Sequence, residues 1–285
     1  MRKIKFTKMV ASGNDFIVIR KSENLSVSLR GFAKKACDRK YGIGADGLLV
    51  VDKSKVADAR MRIFNADGSE AEMCGNGARC FAYFLSAVRR PQAVSLGIET
   101  KAGIINAQVN KDNIRINLTD PKDIKLDIPI VVNGRKIKTN FINTGVPHAV
   151  IFVEGLEKID VNNLGREIRY HKQFSPAGTN VDFVEALDKN SIRIRTYERG
   201  VEDETLACGT GSVAASLIFS LIAKDRRSQS SPAFHSGQAT GDEIINVHTQ
   251  GGEILKVYFD RVGNEFSNVW LEGEAKIVYQ GEYYV

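Results

Sequence analysis

Long hydrophobic runs are missing from this chain of 285 residues. Its longest apolar stretch, near Val213 to Ala223, is interrupted by serines and falls well short of the ~20 residues that cross a bilayer, so no membrane association is expected. An export signal is missing too. The opening Met1-Arg2-Lys3-Ile4-Lys5-Phe6-Thr7-Lys8 alternates basic and apolar residues and reads as a first strand. Cysteines number only four, Cys37, Cys74, Cys80 and Cys208, too few and too scattered for a disulfide scaffold. Reduced thiols and a cytoplasmic location are expected. Histidines also number four, with no H-E-x-x-H and no C-x-x-C, so a zinc site is not expected. The net charge of +6 comes without a basic stripe: Lys34-Lys35, Arg89-Arg90 and Arg226-Arg227 are isolated pairs, which indicates a solvated surface and no nucleic-acid partner. With 43% hydrophobic and 26% charged residues, the chain is globular and long enough for two domains at the usual ~100 to 200 residues each.

What is present is one short motif, twice. Glu70-x-x-x-Cys74-Gly75-x-Gly77 recurs as Glu204-x-x-x-Cys208-Gly209-x-Gly211, and an apolar stretch follows each copy, Ala78 to Val88 and Val213 to Ile222. The pattern predicts a thiol at the N-terminus of a buried helix, where unpaired N–H groups and the helix dipole favour thiolate and attract carboxylates. Two opposed acid/base thiols are therefore expected, both of them acidic.

The repeat extends upstream. Gly44-Ala45-Asp46-Gly47-Leu48 and Gly178-Thr179-Asn180-Val181-Asp182 both begin 30 residues before their cysteine; Gly13-Asn14-Asp15-Phe16 and Gly145-Val146-Pro147-His148 begin 61 and 63 residues before it. This is an internal duplication, and two halves related by a pseudo-two-fold axis would bring their helix N-termini face to face.

Within each half the pattern is α+β. Lys3 to Val10, Asn106 to Val109, Ile114 to Leu118, Ile192 to Tyr197 and Leu255 to Phe259 alternate as half-buried strands do. Asn133-Gly134 predicts a tight hairpin turn, with further breaks at Gly251-Gly252 and Val262-Gly263-Asn264. Ser26-Val27-Ser28-Leu29 opens a serine-capped helix that runs to Cys37. From Lys224 to Glu243 the crowding of Ser, Gly, Pro and Gln predicts a mobile surface loop. Gly42-Ile43-Gly44-Ala45-Asp46-Gly47 matches G-x-G-x-x-G, but a helix precedes it and a strand follows, the reverse of the dinucleotide order, so these glycines are read as loop formers.

The run Phe64-Asn65-Ala66-Asp67-Gly68-Ser69-Glu70 through Cys74-Gly75-Asn76-Gly77-Ala78-Arg79-Cys80 closely resembles the first active-site motif of diaminopimelate epimerases, and Tyr197-Glu198-Arg199-Gly200 with Ala207-Cys208-Gly209-Thr210-Gly211 resembles the second. The resemblance covers nearly the whole chain, from Lys8-Met9 to Leu271-Glu272-Gly273-Glu274-Ala275. It implies an α+β fold of two pseudo-symmetric, β-rich, barrel-like halves. Each would wrap a central helix, with the active site in the cleft between them. The first half would span 1–117 plus 266–285 and the second 118–265. It implies a cofactor-independent isomerase that interconverts LL- and meso-2,6-diaminopimelate in lysine biosynthesis. The partner would be a small amino-acid substrate, and a homodimer is compatible with it.

Carried over position by position, the resemblance makes Cys74 and Cys208 catalytic. Asn14, Asn65 and Asn180 become substrate-contacting amides, Glu198 and Arg199 meet the substrate's charged groups, and His148 with Glu198 adjusts thiol acidity. Two positions depart from the family: Val146 stands where Asn is common, and Gly47 where Gln is frequent. Physically, inversion at Cα without an electron sink needs one group to remove a proton and another to return one to the opposite face. A thiolate and a thiol suit this because cysteine titrates near working pH. N–H donors of Gly75, Asn76, Gly209 and Thr210 would stabilise the charge that spreads into the carboxylate. Each residue also has a plainer reading. Cys37 and Cys80 are read as buried structural thiols, Cys74 and Cys208 could pair as a disulfide, the asparagines could be turn or cap residues, and Arg199 a surface ion-pair partner. A racemase of proline or histidine on the same scaffold, or a non-catalytic amino-acid binding protein, are the competing functions.

Overall fold

The computed structural model describes residues 3–21, 28–89, 93–230 and 240–285. The chain forms two compact units, Met1–Asn117 with Glu272–Val285, and Leu118–Leu271. The chain therefore returns to the first unit at Glu272, later than the expected 266, because β17 (Glu265–Glu274) begins in the second unit.

In the first unit, β1 (Lys3–Ala11) pairs antiparallel with β2 (Asn14–Arg20), which lies parallel to β3 (Gly47–Asp52). Next come β4 (Ala59–Asn65), antiparallel to β3, and the short β5 (Glu70–Ala71). After helix α2 (Gly75–Arg89), β6 (Ala93–Thr100) lies parallel to β4 and continues into the meander β7 (Gly103–Asn110) and β8 (Asn113–Asn117). The strand β18 (Lys276–Tyr284) runs antiparallel beside β1, from Lys3↔Tyr284 to Val10↔Lys276. Helix α1 (Leu29–Cys37) starts at the Ser28 cap, whose Oγ accepts from Gly31 N–H, and buries Phe32, Ala33, Ala36 and Cys37, one stripe of an amphipathic helix, over the sheet. Ser26 and Val27 of the expected cap lie outside the described residues.

The second unit repeats the order. The hairpin β9 (Lys122–Val132) and β10 (Arg135–Asn143) turns at Asn133 and Gly134, both at positive φ, as its two-residue turn requires. There follow β11 (Pro147–Phe152), helix α3 (Val161–Arg169), and β12 (Asn180–Asp188) parallel to β11. Strands β13 (Ser191–Glu198) and β14 (Asp203–Thr205) lead to helix α4 (Gly209–Ser230) and to β15 (Thr240–His248), parallel to β13, then β16 (Ile254–Val262) and β17. The parallel pairs β2/β3 and β4/β6 thus have counterparts in β11/β12 and β13/β15. As β9 pairs with β10 in the second unit, so β18 pairs with β1 in the first. Gly44 and Gly178, and likewise Gly13 and Gly145, share positive φ, so the duplicated glycines mark duplicated turns.

Helices α2 and α4 are the centres of their units. Asn76 to Ala82 are all buried, and α2 meets β1 to β4 and β6 to β8; Gly211 to Leu221 are all buried, and α4 meets β10 to β13, β15 and β16. A helix covered on every side is mostly apolar, and the polar side chains it does bury must find partners inside. The serines of α4 comply by donating back to the helix: Ser212 Oγ to the Cys208 carbonyl at 2.9 Å and Ser216 Oγ to that of Ser212 at 2.8 Å. The loop expected from Lys224 to Glu243 is shorter than anticipated. The backbone of 224–230 continues α4 because nothing breaks the helix before Pro232, and β15 begins at Thr240. Residues 231–239 of that stretch lie outside the described residues. Among the described residues no helix is long and apolar enough to cross a membrane.

Candidate active site

Each motif cysteine is the N-cap residue of a central helix. The Cys74 carbonyl accepts from Ala78 N–H at 2.8 Å, and its Sγ accepts from Gly77 N–H at 3.4 Å. The Cys208 carbonyl accepts from Ser212 N–H at 2.9 Å, and its Sγ takes a backbone hydrogen bond from Gly211. Sulfur thus fills the role usually taken by a serine or aspartate oxygen, and one of the four unpaired amides at each helix start points at it. The motif glutamates hold the approach to the cap. Arg62 on β4 grips Glu70 through Nε at 2.8 Å and Nη2 at 3.2 Å; Arg195 on β13 grips Glu204 through Nε and Nη2, both at 2.7 Å. These matched two-pronged ion pairs tie the strand before each cysteine to its neighbour, and the Arg62 hydrogen bond leads the shift of the Glu70 carboxyl below its ordinary value.

In the first unit the structure brings Asn14 and Asn76, the second residue of α2 after Cys74, onto one network. Arg79, fully buried on α2, donates through Nη2 to Ser12 Oγ at 2.5 Å and to Asn76 Oδ1 at 2.6 Å. Asn76 Nδ2 donates to Asn14 Oδ1 at 2.7 Å, and Asn14 Nδ2 to Asp46 Oδ2 at 3.1 Å. Because the arginine can only donate, it fixes both amide orientations down the line. Asp15 anchors the far end. Burial pushes its carboxyl up, but hydrogen bonds from Arg39 and Lys8 outweigh this and hold it at about 2. Asn65 ends β4 and bonds within the turn to β5, Nδ2 to Ser69 Oγ at 2.9 Å; Asp67 and Gly68 complete that turn. Gly47 has a packing reason: a Cβ there would stand 3.0 Å from the Phe64 carbonyl oxygen and 3.4 Å from the Phe16 ring.

In the second unit, His148, Asn180, Glu198 and Thr210 gather around Cys208. His148 Nδ1 meets Asp182 Oδ2 at 2.7 Å, with both side chains fully buried, and His148 Nε2 meets Thr210 Oγ1 at 3.0 Å. Thr210 Oγ1 lies 3.5 Å from Cys208 Sγ. Asn180 Nδ2 donates to the Pro147 carbonyl at 3.2 Å, and its Oδ1 accepts from Arg199 N–H at 2.7 Å. Arg199 also donates from Nη1 to the Ala177 carbonyl at 3.3 Å. Asp182 is absent from the sequence-derived site. Its only signal is a lone acid in the apolar run Val181-Asp182-Phe183-Val184.

Two pKa shifts correct the expectation of an acidic thiol at Cys208. Burial first, then the charges of Glu198 and Asp182, push this thiol well above its ordinary value, against the helix-end hydrogen bonds. Burial likewise raises Glu198, offset in part by a hydrogen bond with Thr205 and by His148. The helix N-terminus is the weaker influence because it acts in the same dry pocket where two carboxyl groups sit. None of the four cysteines is in a disulfide. Cys37 and Cys80 are buried in the core, and burial raises Cys37 to about 11.

Comparison with known proteins agrees with this architecture over almost its full length. The family model described as Diaminopimelate epimerase matches residues 6–123 and 140–278. Diaminopimelate epimerase of Archaeoglobus fulgidus is 44% identical over 98% of this chain and 96% of its own, and that of Methanocella arvoryzae 40% identical over 99% and 97%. Among solved structures, a phenazine biosynthesis protein of the PhzF family from Bacillus anthracis superposes with a TM-score of 0.69 at 20% identity, covering all of both chains. That likeness concerns the fold.

Proposed function

This chain belongs to the diaminopimelate epimerase family, and from that premise we propose that it interconverts LL- and meso-2,6-diaminopimelate by direct proton transfer at Cα, with Cys74 and Cys208 as its two acid/base groups. The observation that carries the reading is the duplicated cap: two sulfurs, each taking the third amide of a central helix. In each helix this leaves the preceding N–H groups, Gly75 and Asn76 or Gly209 and Thr210, to receive a carboxylate. Charge building in that carboxylate as the proton leaves is then met by donors already in place, which lowers the barrier more than it tightens ground-state binding. The raised pKa of Cys208 keeps it protonated at neutral pH in the substrate-free chain, ready to give a proton to a carbanion on its side. The same turnover leaves it a thiolate able to run the reaction backwards.

Asn14, Asn65, Asn180, Glu198 and Arg199 would supply the donors and acceptors that a substrate with two amino-carboxylate ends requires. Asn14 bonded to Asn76 in the first turn of α2, Asn180 beside His148 and bonded to Arg199 N–H, and Glu198 acting on Cys208 support this for these four; for Asn65 the support is its place in the matched motif. The reaction belongs to lysine biosynthesis, and we assign it to the cytoplasm. A racemase acting on proline or histidine is disfavoured by the family matched.

The test is incubation with LL-diaminopimelate in deuterium oxide. Appearance of the meso isomer with deuterium at Cα is expected. No label in any diaminopimelate isomer, with exchange into proline or histidine, would transfer the chain to another substrate. Cys74→Ala and Cys208→Ala are each expected to lower inversion by at least about a hundredfold, since a positioned acid/base group contributes roughly 10²–10⁴.

A further inference from the structure

We propose that Asp182, His148 and Thr210 form a hydrogen-bonded relay that sets the protonation state of Cys208, with Asp182 as a positioning residue for the thiol's proton transfer. This rests on the epimerase reading and adds to it residues and a direction of proton movement. The line is continuous within the second unit: Asp182 Oδ2 to His148 Nδ1 at 2.7 Å, His148 Nε2 to Thr210 Oγ1 at 3.0 Å, Thr210 Oγ1 to Cys208 Sγ at 3.5 Å.

Three features show that the acid is built in. Asp182 is fully buried near the start of β12, on the same face as His148 in the adjacent parallel strand and two positions past Asn180, the direct partner of His148. Its other oxygen, Oδ1, accepts from Thr196 Oγ1 at 2.8 Å. The first turn of α4 is cut away to admit it: a Cβ at Gly211 would lie 2.5 Å from Oδ1. The second glycine of the Cys-Gly-x-Gly motif thus makes room for a carboxylate in this unit. In the first unit the same glycine, Gly77, faces Leu49 and the ring of Phe16, so the relay exists on one side only.

The chemistry follows from donor and acceptor rules. With His148 neutral, Nδ1–H donates to Asp182, so Nε2 accepts the Thr210 hydroxyl proton. The Thr210 oxygen is then free to accept S–H from Cys208, and the thiol is favoured. When the imidazole is protonated, Nε2–H donates to Thr210 Oγ1, the hydroxyl donates to sulfur, and the thiolate is favoured. Conversion moves one proton: S–H passes to Thr210 Oγ1 while the Thr210 proton passes to His148 Nε2, leaving thiolate and imidazolium with no net change of charge. Asp182 holds the imidazole by Nδ1 and so keeps Nε2 turned toward Thr210. The charges of Glu198 and Asp182 both oppose the thiolate, so Asp182 acts on it through the placement of His148.

The test measures alkylation of Cys208 by iodoacetamide against pH, read peptide by peptide by mass spectrometry without substrate. It therefore stands or falls apart from the epimerase assay. Thr210→Val is expected to raise the midpoint for Cys208 by about one pH unit or more, a tenfold loss of thiolate, given the strength of hydrogen bonds to charged groups, and that shift should shrink in an Asp182→Asn background, where the orientation of His148 toward Thr210 is no longer held. Cys74 should keep its midpoint, and Thr210→Ser, which restores the hydroxyl, should return Cys208 toward the parent profile. Unchanged Cys208 midpoints in Thr210→Val, or Thr210→Ser behaving as Thr210→Val, would overturn the relay. Should Asp182→Asn fail to fold, the threonine pair decides alone. Failure of the parent chain to epimerise diaminopimelate, with these shifts intact, would remove the substrate reading and leave the relay.

Discussion

Gly77 and Gly211 occupy one motif position in two copies, yet the packing predicts opposite outcomes when each is replaced by alanine. At Gly211 the new Cβ would stand 2.5 Å from Asp182 Oδ1, where ordinary contact begins near 3.4 Å. The oxygen would have to retreat by about 0.9 Å, the difference of those two distances, which stretches or breaks its 2.8 Å bond from Thr196. Losing a hydrogen bond to a buried charge costs about 1.5–3 kcal/mol. Alanine in a helix returns up to about 1 kcal/mol relative to glycine, so Gly211→Ala should lose roughly 0.5–3 kcal/mol. At Gly77 the nearest atom is the Leu49 Cδ2 methyl at 3.3 Å, then Cys74 Cβ at 3.5 Å. A methyl yields a tenth of an ångström readily, so Gly77→Ala should be neutral or stabilising by up to about 1 kcal/mol. Urea unfolding followed by circular dichroism separates the two. Gly211→Ala found as stable as Gly77→Ala would refute the claim that Asp182 sits hard against the first turn of α4.

Glu198→Gln removes a charge that pushes Cys208 up, so the alkylation midpoint of Cys208 should fall, opposite in sign to Thr210→Val; a midpoint that stays or rises contradicts this electrostatic account. Asp15, held at about 2 against an ordinary 3.8, has a depressed folded pKa. Its stabilisation of about 2 kcal/mol is present above pH ~4 and lost as pH falls toward 2. Asp15→Asn should therefore destabilise the chain by about that amount at pH 7 and flatten the acid limb of its stability curve, and thermal melts from pH 7 to 2 that match the parent would dismiss the ion-pair cluster as a stabiliser. A thiol reagent applied to the native chain should reach half-buried Cys74 first, with Cys37 and Cys80 reacting only after unfolding; early loss of Cys37 would mean that α1 opens readily.

Much of the fold is legible in the sequence because duplication is a long-range signal written in short motifs. Glycines at matched offsets mark turns that need positive φ, and an apolar stretch after Cys-Gly-x-Gly can only be a helix buried on all sides. What depends on strand register is not legible in this way. Arg62 and Arg195 lie eight and nine residues before the glutamates they grip, and only the hairpins β4/β5 and β13/β14 bring them together. Asp182 looks like a misplaced acid until the parallel register of β11 and β12 sets it beside His148. The acidity of Cys208 misleads for a similar reason: the helix end is visible in sequence, whereas the burial and the two carboxyl groups are products of the fold. Helix α3 carries readable signs, an Asp160 cap and apolar Val161, Leu164 and Ile168, but nothing in the duplicated motifs points to it.

The pairing of β18 with β1 imposes an order on biosynthesis. Every strand of the second unit leaves the ribosome before Lys276–Tyr284 does, so that unit can mature during translation. The N-terminal strand must meanwhile wait with one edge uncovered for a partner made some 270 residues later. Nascent chains arrested ahead of β18 should accordingly show a protease-resistant second unit beside a first unit that is still cleavable.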